Sequence, residues 1–288
     1  MTPEEAHRLQ LSGRYSELLR ASVAEQVAAR ERGDMDGEIT WTLSAVRACR
    51  FIGRTYEGTA HAAHAVLRAQ DRPDRQVECV YAAALMHKTA GRQADAIASL
   101  DRAIAMMDAA TPDATRAVCL LERAEIAIEA GLVDDARIWL TRGAALVHGL
   151  ENARLLAWTL YLKALLERPP DDAPLLAGAR TIIESMELPE LMWQICWRLA
   201  RSHHAMSAVD LARQQAHRAL GLLRVMSEPL AESDVWSFWR LAARRSFLAF
   251  IRACFGPEFE TEVPVPGEVT EPFDPALLPA FVRESARA

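Results

Sequence analysis

The sequence is interrupted at intervals of about forty residues, and each interruption lies between two stretches of helix-forming residues. The interruptions, four glycines followed by a proline-rich break and a serine, are Gly13, Gly53, Gly91, Gly131, 169–172 and Ser207. Glycine readily adopts the left-handed backbone conformation that ends a helix. A period near forty residues with two helices per period predicts an α-solenoid, in which helix pairs stack on one another.

The composition agrees with an all-α fold. Only 13 of 288 residues are glycine, 51% are hydrophobic, and no β-branched segment alternates with polar residues as a strand would. Helix starts are marked by a capping residue followed by proline, as in Thr2-Pro3 and Thr111-Pro112. We predict about six helix pairs, over 3–32, 36–69, 75–108, 113–147, 151–187 and 189–226.

Small residues recur at fixed offsets from the interruptions. They would let the second helix of each pair approach its neighbours closely. The repeated positions after the turns are Ala96, Leu100 and Ala103; Ala136, Leu140 and Gly143; and Ala212, Ala216 and Ala219. Those before the turns are Ala84, Ala124 and Ala200. Two small contact positions per repeat indicate a packing rule shared by the pairs.

This arrangement resembles the tetratricopeptide repeat family over roughly residues 3–226. Segments 80–108 and 120–146 fit best, and 196–225 is a third good match. The period departs from the family's usual length of about 34 residues. It looks more like the extended repeats of bacterial regulators and receptors. HEAT-like repeats share the longer period, but the small residues of the second helix favour the tetratricopeptide alternative. The resemblance implies a right-handed α-solenoid.

The C-terminal part is predicted to differ from the repeats. A thirteenth helix over 232–255 carries aromatic residues that include Trp236, Trp239, Phe247 and Phe250, and it would cap the last helix pair. Residues 256–288 hold seven acidic and two basic residues together with six prolines. We therefore predict two regions, a solenoid with its cap over 1–255 and an acidic, proline-rich tail over 256–288. The tail should be extended or partly disordered, with a short helix at 275–283.

The sequence offers little chemistry. It lacks the motifs of phosphate-binding loops, nucleophile elbows and zinc proteases. His61 and His64 could share a helix face, but no third metal ligand is evident nearby. The five cysteines are widely separated and predict buried, reduced thiols. We expect no enzyme activity, no cofactor and no metal.

Charge and hydropathy indicate where in the cell the protein is located and which classes of partner it does not bind. The net charge of -6 argues against direct nucleic-acid binding. No apolar run is long enough to span a membrane, and the polar N-terminus does not resemble a secretory signal. A cytoplasmic protein is expected. The use of 31 arginines against two lysines is typical of a GC-rich bacterial genome.

Tetratricopeptide arrays bind partners on a concave face built from the first helix of each pair. Carried over by the resemblance, ten residues form a candidate binding stripe that combines aromatic rings with cations. They are Arg47, Arg50, Tyr81, Lys88, Trp158, Tyr161, Arg168, Trp197, Arg201 and His204. Aromatic residues and arginine are typical of binding hot spots. The aromatic residues could instead pack between the helices of each pair.

The sequence therefore predicts a non-enzymatic adaptor or regulatory scaffold whose partner is a protein or peptide, acidic or amphipathic. The alternative is a signal-peptide or small-ligand receptor that regulates a partner by changing the solenoid curvature. Solenoid ends and the apolar cap are compatible with a homodimer. The acidic tail could fold back onto its own groove, bind another protein, or simply be solvated.

Overall fold

The structure is a computed structural model that describes residues 1–186, 188–256 and 278–285. Within these ranges the regular structure is helical, without a β-strand, which confirms the all-α prediction. The first twelve helices are α1 (Pro3–Leu11), α2 (Tyr15–Glu31), α3 (Met35–Ile52), α4 (Thr55–Arg68), α5 (Pro73–Thr89), α6 (Gln93–Ala105), α7 (Asp113–Glu129), α8 (Val133–Val147), α9 (Ala153–Leu166), α10 (Asp172–Ile183), α11 (Pro189–Ala205) and α12 (Val209–Ser227). The last three are α13 (Glu232–Arg240), α14 (Ala242–Phe255) and α15 (Ala280–Ser285).

The chain forms two compact units. Unit 1 comprises Met1–Met106, Ser227–Phe250 and Phe259–Ala288, and unit 2 comprises Met107–Met226 and Ile251–Glu258. Residues 257–277, where the predicted tail begins, lie outside the described residues. The predicted boundary at residue 256 therefore stays a prediction.

Within each unit, helices that are adjacent in the chain pack against each other. In unit 1 this order runs from α1 to α6, and in unit 2 it runs from α7 to α11. The first helices of neighbouring pairs also meet, α3 with α5 and α7 with α9. This packing is consistent with the predicted α-solenoid.

The helix ends fall at the predicted interruptions. Gly53 ends α3 with a φ of 93°, in the left-handed region that favours glycine. Ser207, between α11 and α12, also has a positive φ of 60° and so performs the same turn without a glycine. The turn is therefore a property of the helix pair, and the residue that occupies it varies.

The small residues at the repeated offsets are buried, as their spacing predicts. Gly143 of α8 lies close to α7, because an added Cβ there would lie 3.0 Å from Leu121 Cδ2. The buried alanines at these offsets are Ala84, Ala96 and Ala103 in unit 1 and Ala124, Ala136, Ala200, Ala212, Ala216 and Ala219 in unit 2. Close helix packing through small side chains therefore operates within both units.

The prediction of one capping helix over 232–255 is wrong. The helix breaks at Leu241, which has an extended backbone, so α13 and α14 are separate. Buried Arg244 accounts for the break, since its Nη1 donates to the Phe238 carbonyl at 2.9 Å and to the Phe51 carbonyl at 3.1 Å. Its guanidinium also lies 3.5 Å from the centre of the Phe238 ring.

Helix α13 packs on α3, which lies near the beginning of the chain. Arg54 Nε forms an ion pair with Asp234 Oδ1 at 2.6 Å. The backbone of α13 also approaches the turn after α3, where an added Cβ at Gly53 would lie 2.4 Å from the Ser237 carbonyl oxygen. The sequence did not indicate this contact between α13 and the second helix pair.

Every helix in the described part of the chain is too short or too polar to cross a lipid bilayer.

Candidate functional site

The predicted stripe residues of unit 1 lie on α3 and α5, which pack together. Arg47 is exposed, and its Nη1 lies 3.3 Å from Gln10 Oε1. Arg50, Tyr81 and Lys88 are half-buried. These four side chains are partly accessible on two neighbouring helices, as a binding stripe requires.

In unit 2, the aromatic residues of α9 have different environments. Trp158 is half-buried, and its Nε1 donates to Glu125 Oε2 of α7 at 3.2 Å. Tyr161 is only 6% exposed and belongs to the interior. Arg168 is exposed but lies beyond the end of α9, in the turn that leads to α10. Trp158 therefore remains accessible, whereas Tyr161 packs between helices.

The stripe residues of α11 form a partly accessible aromatic and cationic group. Trp197 is half-buried and stacks on Trp193, with ring centres 5.8 Å apart and planes 10° from parallel. The Arg201 guanidinium lies 6.0 Å from the centre of the Trp197 ring. His204, one turn farther along, contacts Phe255 edge to face at 6.1 Å.

Arg201 is an exposed cation of this group next to a second arginine, Arg198. Burial and the neighbouring charge of Arg198 lower the pKa of Arg201 from its ordinary value, and they outweigh Tyr161 and Asp172, which raise it. Arg198 is already paired with buried Asp172, at 3.2 Å from Nε to Oδ2. Among the described residues no carboxylate forms an ion pair with Arg201. An acidic group brought by a partner would relieve this electrostatic cost.

The cysteines are free and mostly buried, as their spacing predicts. Burial raises the pKa of Cys79 and of Cys119 to about 12 and that of Cys196 to about 11. Thiols with raised pKa values form little thiolate and react slowly. These cysteines therefore act as small apolar side chains of the interior.

A second group of polar residues, in unit 1, centres on Glu38 of α3. Its carboxylate is 1% exposed and accepts hydrogen bonds from His64 Nε2 at 2.7 Å and Arg30 Nη1 at 3.0 Å. Arg68 Nε lies 3.2 Å from its other oxygen. The sequence pattern singles out His64 but does not indicate this cluster, because Glu38, Arg30 and His64 lie on three different helices.

The chain's own C-terminal helix completes the cluster. Ser285 Oγ of α15 lies 2.8 Å from His64 Nδ1, and the Phe281 ring lies 4.9 Å from the imidazole. The helix α15 overlaps the short helix predicted over 275–283. A cleft of about 240 Å³ remains between α15 and α4, and it is lined by Glu284, Arg30 and Arg68.

The proton on His64 Nε2 follows from its neighbour Glu38, because a carboxylate can only accept. Nδ1 lies near the Ser285 hydroxyl, whose single proton is directed to a carbonyl oxygen of its own helix. Burial lowers the pKa of His64, while Glu38 opposes this by raising it. A carboxylate, imidazole and hydroxyl in this order also occur in serine hydrolases. Here, however, Ser285 Oγ also lies 2.9 Å from the Phe281 carbonyl oxygen, an acceptor within its own short helix. We interpret the arrangement as a contact that holds α15.

The neighbouring His61 has no comparable contacts. It is fully buried, and neither ring nitrogen has a hydrogen-bond partner among the described residues. Burial lowers the pKa of His61 to about 3, and the nearby His64 contributes to this shift. In the described ranges no three His, Cys, Asp or Glu side chains are close enough to hold a metal ion. The ring of His61 therefore acts as a neutral part of the interior.

Because His61 is buried in the folded protein, we expect acid to lower the free energy of unfolding. The unfolded chain binds a proton at His61 below about pH 6.5 and the folded chain only near pH 3, so the free energy of unfolding should fall as the pH falls between these values. The expected slope is roughly 1 kcal/mol per pH unit from this residue. His61→Leu should flatten the slope in urea denaturation series at pH 7, 6, 5 and 4. His7→Leu is the control, since the exposed ring of His7 is solvated in both states. Equal slopes for His61→Leu and the wild type would contradict this prediction.

Comparison of the sequence with protein-family models and with curated proteins finds no match. The tetratricopeptide relationship is therefore a resemblance carried by the repeat spacing and by the buried small residues.

Proposed function

We propose that the chain is a non-enzymatic adaptor or regulatory scaffold that binds a protein or peptide partner on a tetratricopeptide-like helical array. The observation that carries this proposal is the group on α11 in which the Arg201 guanidinium lies 6.0 Å from the centre of the half-buried Trp197 ring. A second half-buried indole ring, that of Trp158, lies on α9. Large rings with a polar edge and arginine contribute most of the binding energy in many interfaces.

The electrostatics of this surface favour an acidic partner. Arg201 and Arg198 repel each other, and only Arg198 has a carboxylate partner among the described residues. An Asp or Glu side chain of a bound peptide would accept hydrogen bonds from Arg201 while its apolar neighbours cover Trp197. We also propose a cytoplasmic location. It is supported by five free cysteines, since a reducing compartment keeps thiols unpaired.

Reversal of one charge tests this function. The tagged full-length protein would be used to capture partners from a lysate of the source organism, with quantification by mass spectrometry. Arg201→Glu should reduce recovery of the specific partner by roughly tenfold or more. Arg142→Glu is a matched control, because Arg142 is also exposed and lies 4.6 Å from the centre of a tryptophan ring, Trp139 on α8.

Equal recovery with Arg201→Glu and the wild type would contradict a partner on α9 and α11. Equal loss with both variants would also contradict it, since the effect would then follow charge alone. Capture of no protein by the wild type would contradict the adaptor function. It would favour the alternative, a receptor for a signal peptide or small ligand.

A further inference from the structure

We propose that the α4 face, defined as Ala60, His64 and Arg68 with Arg30 and Glu38 behind them, is a docking site for short amphipathic helical segments. In this structure the chain's own C-terminal segment, residues 278–285, covers the site. A partner segment of the same chemistry would displace it. The α4 face does not include any residue of the predicted binding stripe, so this inference is independent of the proposed function.

The apolar part of the contact is made by α15 and by the residue two positions before it. Phe281 and Ser285 lie about one helical turn apart in α15, Val282 follows Phe281, and Leu278 lies just before the helix begins. Leu278 and Val282 are almost fully buried against Ala60, and Phe281 packs at the margin of this cluster. The segment therefore binds in the way that amphipathic helices occupy grooves on other proteins.

Phe281 and Ser285 give the contact its orientation. The Arg30 guanidinium lies 4.3 Å from the centre of the Phe281 ring, while His64 packs against the same ring. One helical turn later, Ser285 Oγ meets His64 Nδ1. A segment placed in the reverse direction would not present its aromatic ring and hydroxyl to these two groups together.

The charge of the α4 face favours a bound segment that carries an acidic residue. Glu38 is buried between Arg30 and Arg68, so one carboxylate faces two guanidiniums and the α4 face keeps one positive charge in excess. The carboxylate side chain of Glu284 lines the same cleft. A matching partner segment therefore carries an aliphatic residue, an aromatic residue three positions later, an aliphatic residue directly after it and an acidic residue three positions after the aromatic one.

The docked segment is suited to exchange. An isolated helix of six residues is unstable in water, so α15 is ordered by its contact with α4. Part of the docking energy is therefore spent on ordering the segment. A longer partner helix with the same contact residues is more stable on its own, so it would lose less conformational entropy on binding than the chain's own segment does.

A synthetic peptide of residues 278–288 with a fluorescent label tests this inference. It would be titrated with the full-length protein and followed by fluorescence anisotropy. In the wild type the chain's own segment competes with the peptide, whereas Phe281→Ala weakens that segment and leaves the α4 face intact. If the segment covers the site for nine-tenths of the time or more, the peptide should bind the Phe281→Ala protein at least about tenfold more tightly than it binds the wild type.

Two controls identify the site. A peptide that itself carries Phe281→Ala should not bind either protein. Combining Arg30→Lys with Phe281→Ala in the protein should weaken peptide binding, because lysine keeps the charge but lacks the flat guanidinium that stacks on the ring. Circular dichroism would verify that helix content is unchanged.

Equal affinity of the peptide for the wild type and for Phe281→Ala would overturn the proposal, as would no binding to either. A wild-type dimer that dissociates in Phe281→Ala would also overturn it, since the segment would then occupy a second copy of the chain. Sedimentation at several protein concentrations distinguishes this last outcome.

Discussion

Replacement of Gly53 by alanine is expected to lower the free energy of unfolding of unit 1 by about 3 kcal/mol or more. Two effects combine at this position. Its φ of 93° is costly for a residue with a side chain, and the added Cβ would collide with the Ser237 carbonyl oxygen at 2.4 Å. Because that oxygen belongs to the backbone of α13, the clash can be relieved only by moving the helix. Urea denaturation followed by circular dichroism measures the effect.

Gly91→Ala provides the matched control. Gly91 also ends a helix of unit 1 with a positive φ of 75°, but an added Cβ there meets no described atom within 4 Å. Only the conformational cost applies, and a loss of about 1 to 2 kcal/mol is expected. Similar losses for the two variants would contradict the close approach of α13 to α3.

Replacement of Glu38 by glutamine should also have a large effect on stability. We expect it to lower the free energy of unfolding by about 2 to 3 kcal/mol, because the buried carboxylate accepts hydrogen bonds from His64 and Arg30 and also forms an ion pair with Arg68. Glutamine has nearly the same shape, so the loss reports the charge and its hydrogen bonds. The same denaturation experiment measures it.

The control for this charge is Asp36→Asn, also in the first turn of α3. Asp36 is exposed and pairs with Arg72 at 2.6 Å. Ion pairs in water contribute little, so a loss below about 1 kcal/mol is expected. If Asp36→Asn were as damaging as Glu38→Gln, burial would not be what makes the Glu38 contacts strong.

The repeat pattern could be predicted because its causes are local. A glycine such as Gly53 ends a helix through its own backbone, and an alanine such as Ala96 permits close packing through its own size. Both effects recur at each interval of about forty residues. The fold class and the positions of the helix ends therefore follow from spacing alone.

The cap could not be predicted in the same way, because its cause is not local. Leu241 and its neighbours are compatible with a continuous helix. The break depends on Arg244, whose guanidinium binds the carbonyl of Phe51, 193 residues earlier in the chain. No periodic pattern connects two such distant positions.

The candidate binding residues illustrate the same limit. The resemblance assigned them to the first helices of the pairs, which are α3, α5, α9 and α11, although Arg168 lies beyond the end of α9. Their accessibility depends on the rotation of each helix. Tyr161 and Trp158 are three residues apart, yet Tyr161 is buried and Trp158 is half-buried. The Glu38 cluster required three helices and the C-terminal segment to meet, and its only sequence signal was a histidine within an alanine-rich helix.

Hydrogen exchange of the full-length protein, alone and with its captured partner, tests the central claim most directly. Partner binding at Trp158, Trp197 and Arg201 should slow exchange of the backbone amides of α9 and α11, and Arg201→Glu should remove this protection. Protection confined to other helices would contradict the proposed binding surface.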